Sequence, residues 1–221
     1  MNPDAFIFDL DGLLLDTESH SMKAFQDTAE AFGLEDRIDL FLSLVGTNEV
    51  THRQRLAEAL EPKIDSTTFR DSWTERFHQS MEHQPPGLLP GVSEILDWLA
   101  SENIKLAVAT SSMTVDGEKK LADAGIRDYF SVVICGDQVE NSKPAPDIYL
   151  KAGAALGAKM ERSIGLEDSA NGVRAAHAAG LNVIQIPNLV PPAAELKALD
   201  FRVCYSMHDV LRLAREGMLL A

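Results

Sequence analysis

The stretch Phe6-Ile7-Phe8-Asp9-Leu10-Asp11-Gly12 constrains this chain more than any other. Its apolar, aromatic and β-branched opening has the character of a buried strand. The Asp-Leu-Asp-Gly run that follows puts two carboxylates and a tight turn at that strand's carboxyl end, where open α/β sheets bind their ligands. Side chains two residues apart on an extended chain point the same way, so Asp9 and Asp11 can share one site. Like charges that close are costly unless a cation joins them or one takes a proton. Mg²⁺ prefers oxygen ligands and commonly arrives with phosphate, which suits it to such a pair. Gly12 supplies the backbone freedom of the turn.

Taken alone, these residues also fit a solvated Asp-Gly turn or a calcium loop. An EF-hand loop starting at Asp9 needs an oxygen-bearing side chain at position 13 and a Glu at position 20. Leu13 and His20 stand there instead. The plain turn stays open on this stretch alone.

Beyond it the pattern is helical over residues 17–33, where Met22, Phe25, Ala29 and Phe32 form an apolar stripe that Gly33 stops. Three more amphipathic segments follow, near residues 36–45, 48–60 and 66–82. The run His83-Gln84-Pro85-Pro86-Gly87 then breaks the register, and a new helix starts at Pro90-Gly91. Strand and helix alternate afterwards: strands near residues 105–110, 132–135, 163–166, 182–186 and 202–205, helices near 114–124, 146–156, 171–179, 193–198 and 207–215. Such alternation implies a parallel sheet covered on both faces. The expected fold is therefore α/β, a Rossmann-like doubly wound core formed by residues 1–16 and 87–221. A small helical bundle, residues 17–86, is inserted after the first strand as a cap.

Size and composition agree with a core plus a small insertion: 221 residues with 45% apolar and 24% charged content. No apolar run approaches the ~20 residues of a membrane span, and no basic region precedes an apolar segment at the N-terminus. A cleaved signal peptide is not expected, and a cytoplasmic location is. Cys135 and Cys204 are too few and too separated for a disulfide framework or a zinc site, and read as small buried apolar residues. The remaining histidines form no metal spacing. A net charge of −14 argues against nucleic acid and anionic membranes as partners. Within that negative field a phosphate ester needs a local positive island, which a metal ion, a lysine and helix N-termini can provide.

Three later stretches carry suitable groups. Thr110-Ser111-Ser112 ends an apolar strand and leads into a helix, a junction that serves either as a helix cap or as a phosphate cradle. Lys143 precedes Pro144, which disfavours helix at the lysine and holds it in an extended loop. Glu167-Asp168 closes another strand, and Ser169 can cap the next helix. Two such acids can complement a helix dipole or bind a metal.

Taken in order, Asp9-Leu10-Asp11-Gly12, Val108-Ala109-Thr110-Ser111-Ser112, Ser142-Lys143-Pro144-Ala145-Pro146-Asp147 and Gly165-Leu166-Glu167-Asp168-Ser169 resemble the four motifs of the haloacid dehalogenase-like superfamily. Leu13-Leu14-Leu15-Asp16-Thr17-Glu18 resembles its β-phosphoglucomutase-like and sugar-phosphatase branch. The resemblance spans nearly the whole chain. It implies that Asp9 is the nucleophile that forms an aspartyl phosphate. Asp11 protonates the leaving oxygen and later activates water. Thr110 and Ser111 contact phosphate, through the side chain and a backbone N–H respectively. Lys143 bridges nucleophile and phosphate. It further implies Mg²⁺ as cofactor, held by Asp9, the carbonyl of Asp11, Asp168 and, directly or through water, Glu167. Ser142 stands where many relatives carry Gly, a change that the β-phosphoglucomutase type tolerates.

Dehalogenases and phosphonate-cleaving relatives lack the second Asp, so Asp11 points to phosphate esters. β-Phosphoglucomutases carry a His where Ser21 stands and an Arg where Glu49 stands. A Glu would repel the second phosphate of a bisphosphate that an Arg holds. The expectation is therefore a Mg²⁺-dependent phosphatase of a small phosphorylated metabolite, either a sugar phosphate or a nucleoside-type monophosphate. A sugar-phosphate mutase and a non-catalytic metal- or phosphate-binding regulator are the alternatives. Asn48, Glu49 and Arg76 are the cap candidates for specificity. Monomer and homodimer stay equally open.

Overall fold

A computed structural model describes residues 3–47 and 49–220, with Glu49 described by its backbone alone. Six parallel strands form one sheet among these residues: β1 (Ala5–Phe8), β2 (Lys105–Ala109), β3 (Val132–Ile134), β4 (Ile164–Glu167), β5 (Asn182–Gln185) and β6 (Arg202–Val203). Their spatial order is β3-β2-β1-β4-β5-β6. The chain order reverses on either side of β1, so the crevice at its carboxyl end is the topological switch point.

Strand periodicity sorts the core. In β1, Phe6 and Phe8 join one buried cluster and Ala5 and Ile7 the other, and β2 divides the same way between Leu106 and Val108 and Ala107 and Ala109. The first cluster is closed by Ile95, Leu96 and Leu99 of α5 (Val92–Ser101), Leu121 of α6 (Thr114–Asp123) and the apolar face of α9 (Met207–Arg215). The second is closed by α7 (Asp147–Leu156) and α8 (Ala170–Ala178), where small residues such as Ala152, Ala175 and Ala176 allow close helix–sheet approach.

Between β1 and α5 lie α1 (Thr17–Ala31), α2 (Ile38–Leu44), α3 (Glu49–Leu60) and α4 (Ser66–His83). They share a separate apolar cluster centred on Phe25, whose ring lies 5.5 Å from Phe41, 5.4 Å from Phe69 and 5.1 Å from Trp73. The linkers into and out of this insertion are bonded to each other. The Asp16 N–H donates to Gly87 O at 3.0 Å, and the Leu89 N–H donates to Leu14 O at 3.0 Å. No described helix is long and apolar enough to cross a membrane.

One expected helix takes a different form. Residues Ala194–Ala198 form a 3₁₀ segment, with Leu196 N bonded to Ala193 O and Leu199 N to Leu196 O. Leu196 is the buried anchor of this short run, and tight i→i+3 bonding is the form that short helical runs commonly take. Cys135 and Cys204 are both free and buried, as apolar filling requires.

Candidate active site

The end of β1 sets the geometry. The Asp9 N–H still donates to Leu166 O at 3.0 Å, so Asp9 leaves the sheet fixed in direction and only 7% exposed. The chain then turns at Gly12, whose φ is +79°, and a Cβ there would stand 2.5 Å from Asp168 Oδ2. Both the positive φ and that close approach require glycine. Asn188 Nδ2 donates to the Gly12 carbonyl at 3.0 Å and holds the turn from the far side.

Lys143 reaches this point from the loop after β3. Its Nζ lies 2.5 Å from Asp9 Oδ1, 2.6 Å from Glu167 Oε1 and 2.9 Å from the Ala109 carbonyl, which occupies all three ammonium protons. Burial alone would lower this ammonium, but the Asp9 and Glu167 charges outweigh it and hold Lys143 above its ordinary range. Glu167 is fully buried and also accepts from Tyr149 OH at 2.5 Å and Ser169 Oγ at 3.1 Å. Gln185 Nε2 fixes the next residue by donating to the Asp168 carbonyl at 2.9 Å.

Asp9, Glu167 and Asp168 offer carboxylate oxygens within 4.8 Å of one another. Burial pushes the Asp9 carboxyl up to about 7 despite Lys143, and the Glu167 and Asp11 charges add to that rise. Burial likewise drives Asp168 well above the carboxylate range, with Glu167, Asp9 and Glu18 repelling its charge. Glu18, on α1, is pushed to about 7 by burial and then by Asp11 and Asp16. One lysine cannot balance this many acids, and the surplus is what a divalent cation neutralises. The donor set is all oxygen, which fits Mg²⁺.

Asp11 sits beside the second motif. Ser112 Oγ donates to its Oδ2 at 2.7 Å, and Thr110 Oγ1 lies 3.4 Å from the same oxygen. Ser111 is exposed in the turn after β2. The structure thus gathers Asp9, Asp11, Thr110, Lys143, Glu167 and Asp168 at adjacent strand ends, with Ser111 at their rim. Sequence reasoning missed Lys120, Tyr149 and Glu18, which approach from helices. The pairing of an aromatic hydroxyl with a buried acid leaves no local sequence mark.

A cleft of about 350 Å³ opens beside Asp168, between the helical insertion and the sheet, with Val45, Gly46 and Thr47 on one wall and Ser169 and Asn171 on the other. Asn171 Nδ2 donates across it to the Gly46 carbonyl at 3.0 Å. Asn48 lies outside the described residues, as does the side chain of Glu49. Arg76 is exposed on α4 and is not among the residues lining this cleft. His20 Nδ1 lies 2.8 Å from Ser80 Oγ of α4.

Residues 6–186 match the model of the haloacid dehalogenase-like hydrolase family. The chain is 38% identical over 184 residues to a phosphorylated carbohydrates phosphatase of Thermotoga maritima, covering 82% of this chain and 83% of that protein. A crystal structure of a putative β-phosphoglucomutase from the same organism is similar at a TM-score of 0.78 and 32% identity, over 98% of this chain and 99% of that one. A family hydrolase from Deinococcus radiodurans with bound phosphate and sodium is similar at a TM-score of 0.83 and 26% identity, over 99% and 97% of the two chains.

Proposed function

Because the chain belongs to the haloacid dehalogenase-like hydrolase family, we propose that it is a Mg²⁺-dependent phosphatase of small sugar phosphates that works through a phosphoaspartate at Asp9. The observation that carries this reading is the buried Lys143–Asp9 contact of 2.5 Å with Asp168 beside it. It supplies a nucleophile, a fixed cation and a place for a second cation at one strand end.

In the first half-reaction an Asp9 oxygen attacks phosphorus in line, and the bond from phosphorus to the sugar oxygen breaks. Asp11 delivers the proton that the departing oxygen takes up. In the second half-reaction Asp11 takes a proton from water, whose oxygen attacks the same phosphorus and releases Asp9 and phosphate. Thr110 and the Ser111 N–H hold phosphoryl oxygens, and Lys143 balances charge in the transition state. Asp9, the carbonyl of Asp11 and Asp168 would hold Mg²⁺, which supplies the neutralisation that lets one anion approach another. Glu167, already engaged by Lys143, Tyr149 and Ser169, supports these groups from behind.

Residues 17–86 act in this reading as a cap over the core of residues 1–16 and 87–221. The loop that lines the cleft at Val45, Gly46 and Thr47 runs directly into Asn48 and Glu49. We place specificity there rather than at Arg76. The name of the Thermotoga relative supports a sugar over a nucleoside ester. The mutase alternative finds less support, since His20 pairs with Ser80 and Ser21 stands next to it.

The test is a panel of phosphate esters with Mg²⁺, read as released inorganic phosphate, with glucose 1-phosphate assayed with and without a bisphosphate primer. Phosphate release that chelator abolishes and Asp9→Asn abolishes is expected. Isomerisation without release, or normal turnover by Asp9→Asn, would refute the reading.

A further inference from the structure

Lys120 has no part in the scheme above. It projects from α6, and its Nζ lies 2.6 Å from Asp11 Oδ1 and 3.0 Å from Ser112 Oγ. Ser112 Oγ in turn donates to Asp11 Oδ2 at 2.7 Å. Both oxygens of Asp11 are therefore held, one by a lysine and one by a hydroxyl. The pair joins residues far apart in sequence and is sheltered, with side chains 15% and 28% exposed for Lys120 and Asp11. The neighbouring Lys119 shows the ordinary alternative. It is 61% exposed and pairs along its own helix with Asp123, an arrangement that holds a surface ion pair without reaching another element.

We propose that Lys120, together with Ser112, is a positioning residue that holds the Asp11 carboxyl at the leaving-group end of the phosphate cradle. The inference rests on the phosphatase reading. An Asp side chain free to rotate about its two torsions samples several orientations, and only some point an oxygen at the ester bond. Holding both oxygens removes that freedom: with Lys120 on Oδ1, Oδ2 is left to carry the proton, and the Ser112 hydroxyl, which can accept as well as donate, keeps it in place. Asp11 Oδ2 is kept within 3.4 Å of Thr110 Oγ1, the hydroxyl assigned to phosphate. Loss of the clamp should matter in proportion to how much the departing oxygen needs a proton.

The experiment measures kcat/KM for a series of phosphate monoesters running from 4-nitrophenyl through phenyl to alkyl phosphates. Lys120→Met should leave 4-nitrophenyl phosphate close to wild type and slow alkyl esters by about tenfold or more, a part of the ~10²–10⁴ that a placed proton donor contributes. Lys120→Arg should recover most of that loss, and Ser112→Ala should steepen the leaving-group dependence in the same direction. An equal loss across all esters, or an unchanged dependence in both Lys120→Met and Ser112→Ala, overturns the proposal. Should Lys120→Met not fold, Ser112→Ala and Lys120→Arg decide by the same criterion. A wild-type protein that releases phosphate from none of the esters overturns the phosphatase reading and this inference with it.

Discussion

Replacing Gly172 by alanine sets two effects of opposite sign against each other. Gly172 lies in α8, where alanine is favoured over glycine by about 0.8–1 kcal/mol on helix propensity alone. The new methyl, however, would overlap the carboxylate of Glu167, which must then retreat by roughly 1.5–2 Å to reach ordinary contact. That carboxylate is pinned at 2.6 Å by Lys143 and at 2.5 Å by Tyr149, lengths already near the short limit for such bonds. It cannot move by an ångström and keep both. Both bonds end on the same Glu167 oxygen, and losing the pair at about 1.5–3 kcal/mol each outweighs the propensity gain, so the clash wins by about 2 kcal/mol or more. For a chain of this size that lowers Tm by about 4–8 °C. Thermal melting of metal-free Gly172→Ala against wild type measures it. A Tm equal to or above wild type would mean that Glu167 swings freely and that the clamp on Lys143 is slack.

Asp9 is pushed from 3.8 to about 7 by burial, so the metal-free fold favours its protonated form and loses stability as pH rises from 3.8 to about 7, with no further loss above that. Mg²⁺ needs the charged form, and its increment in Tm should therefore be larger at pH 8 than at pH 6; equal increments would show that Asp9 is not a ligand. Tyr149→Phe removes one donor to the fully buried Glu167 and should cost about 1.5–3 kcal/mol in denaturant melts. An unchanged midpoint would show that the hydroxyl is not needed there.

Asp9, Thr110 and Asp168 are legible as a group because each follows a strand directly, although their roles come only from the family resemblance. Once β1, β2 and β4 are recognised as neighbours in a parallel sheet, Asp9, Thr110 and Asp168 must meet at one edge. Lys143 is held to the same edge by the loop after β3. Lys120 and Tyr149 were illegible for the complementary reason. Each is one polar side chain on a helix, and whether it points to water or to an acid of the site depends on how that helix docks. Glu18 enters the sequence reading only as the end of the Leu13–Glu18 stretch, with no role of its own, and only the fold brings it beside Asp11 and Asp168. The short run at Ala194–Ala198 was misread because five residues carry too little periodicity to separate a 3₁₀ segment from an α-helix.

The hydrogen bonds that tie residues 14–16 to residues 87–89 make the helical bundle a closed detour. Chain leaves the core and returns to it at the same spot, so the strands beyond register neither the length nor the shape of what was traversed. Loop closure grows only slowly with length, and the entropic toll for a larger or smaller detour is correspondingly slight. A lineage can therefore exchange the helical bundle while the strand ends around Asp9 stay untouched.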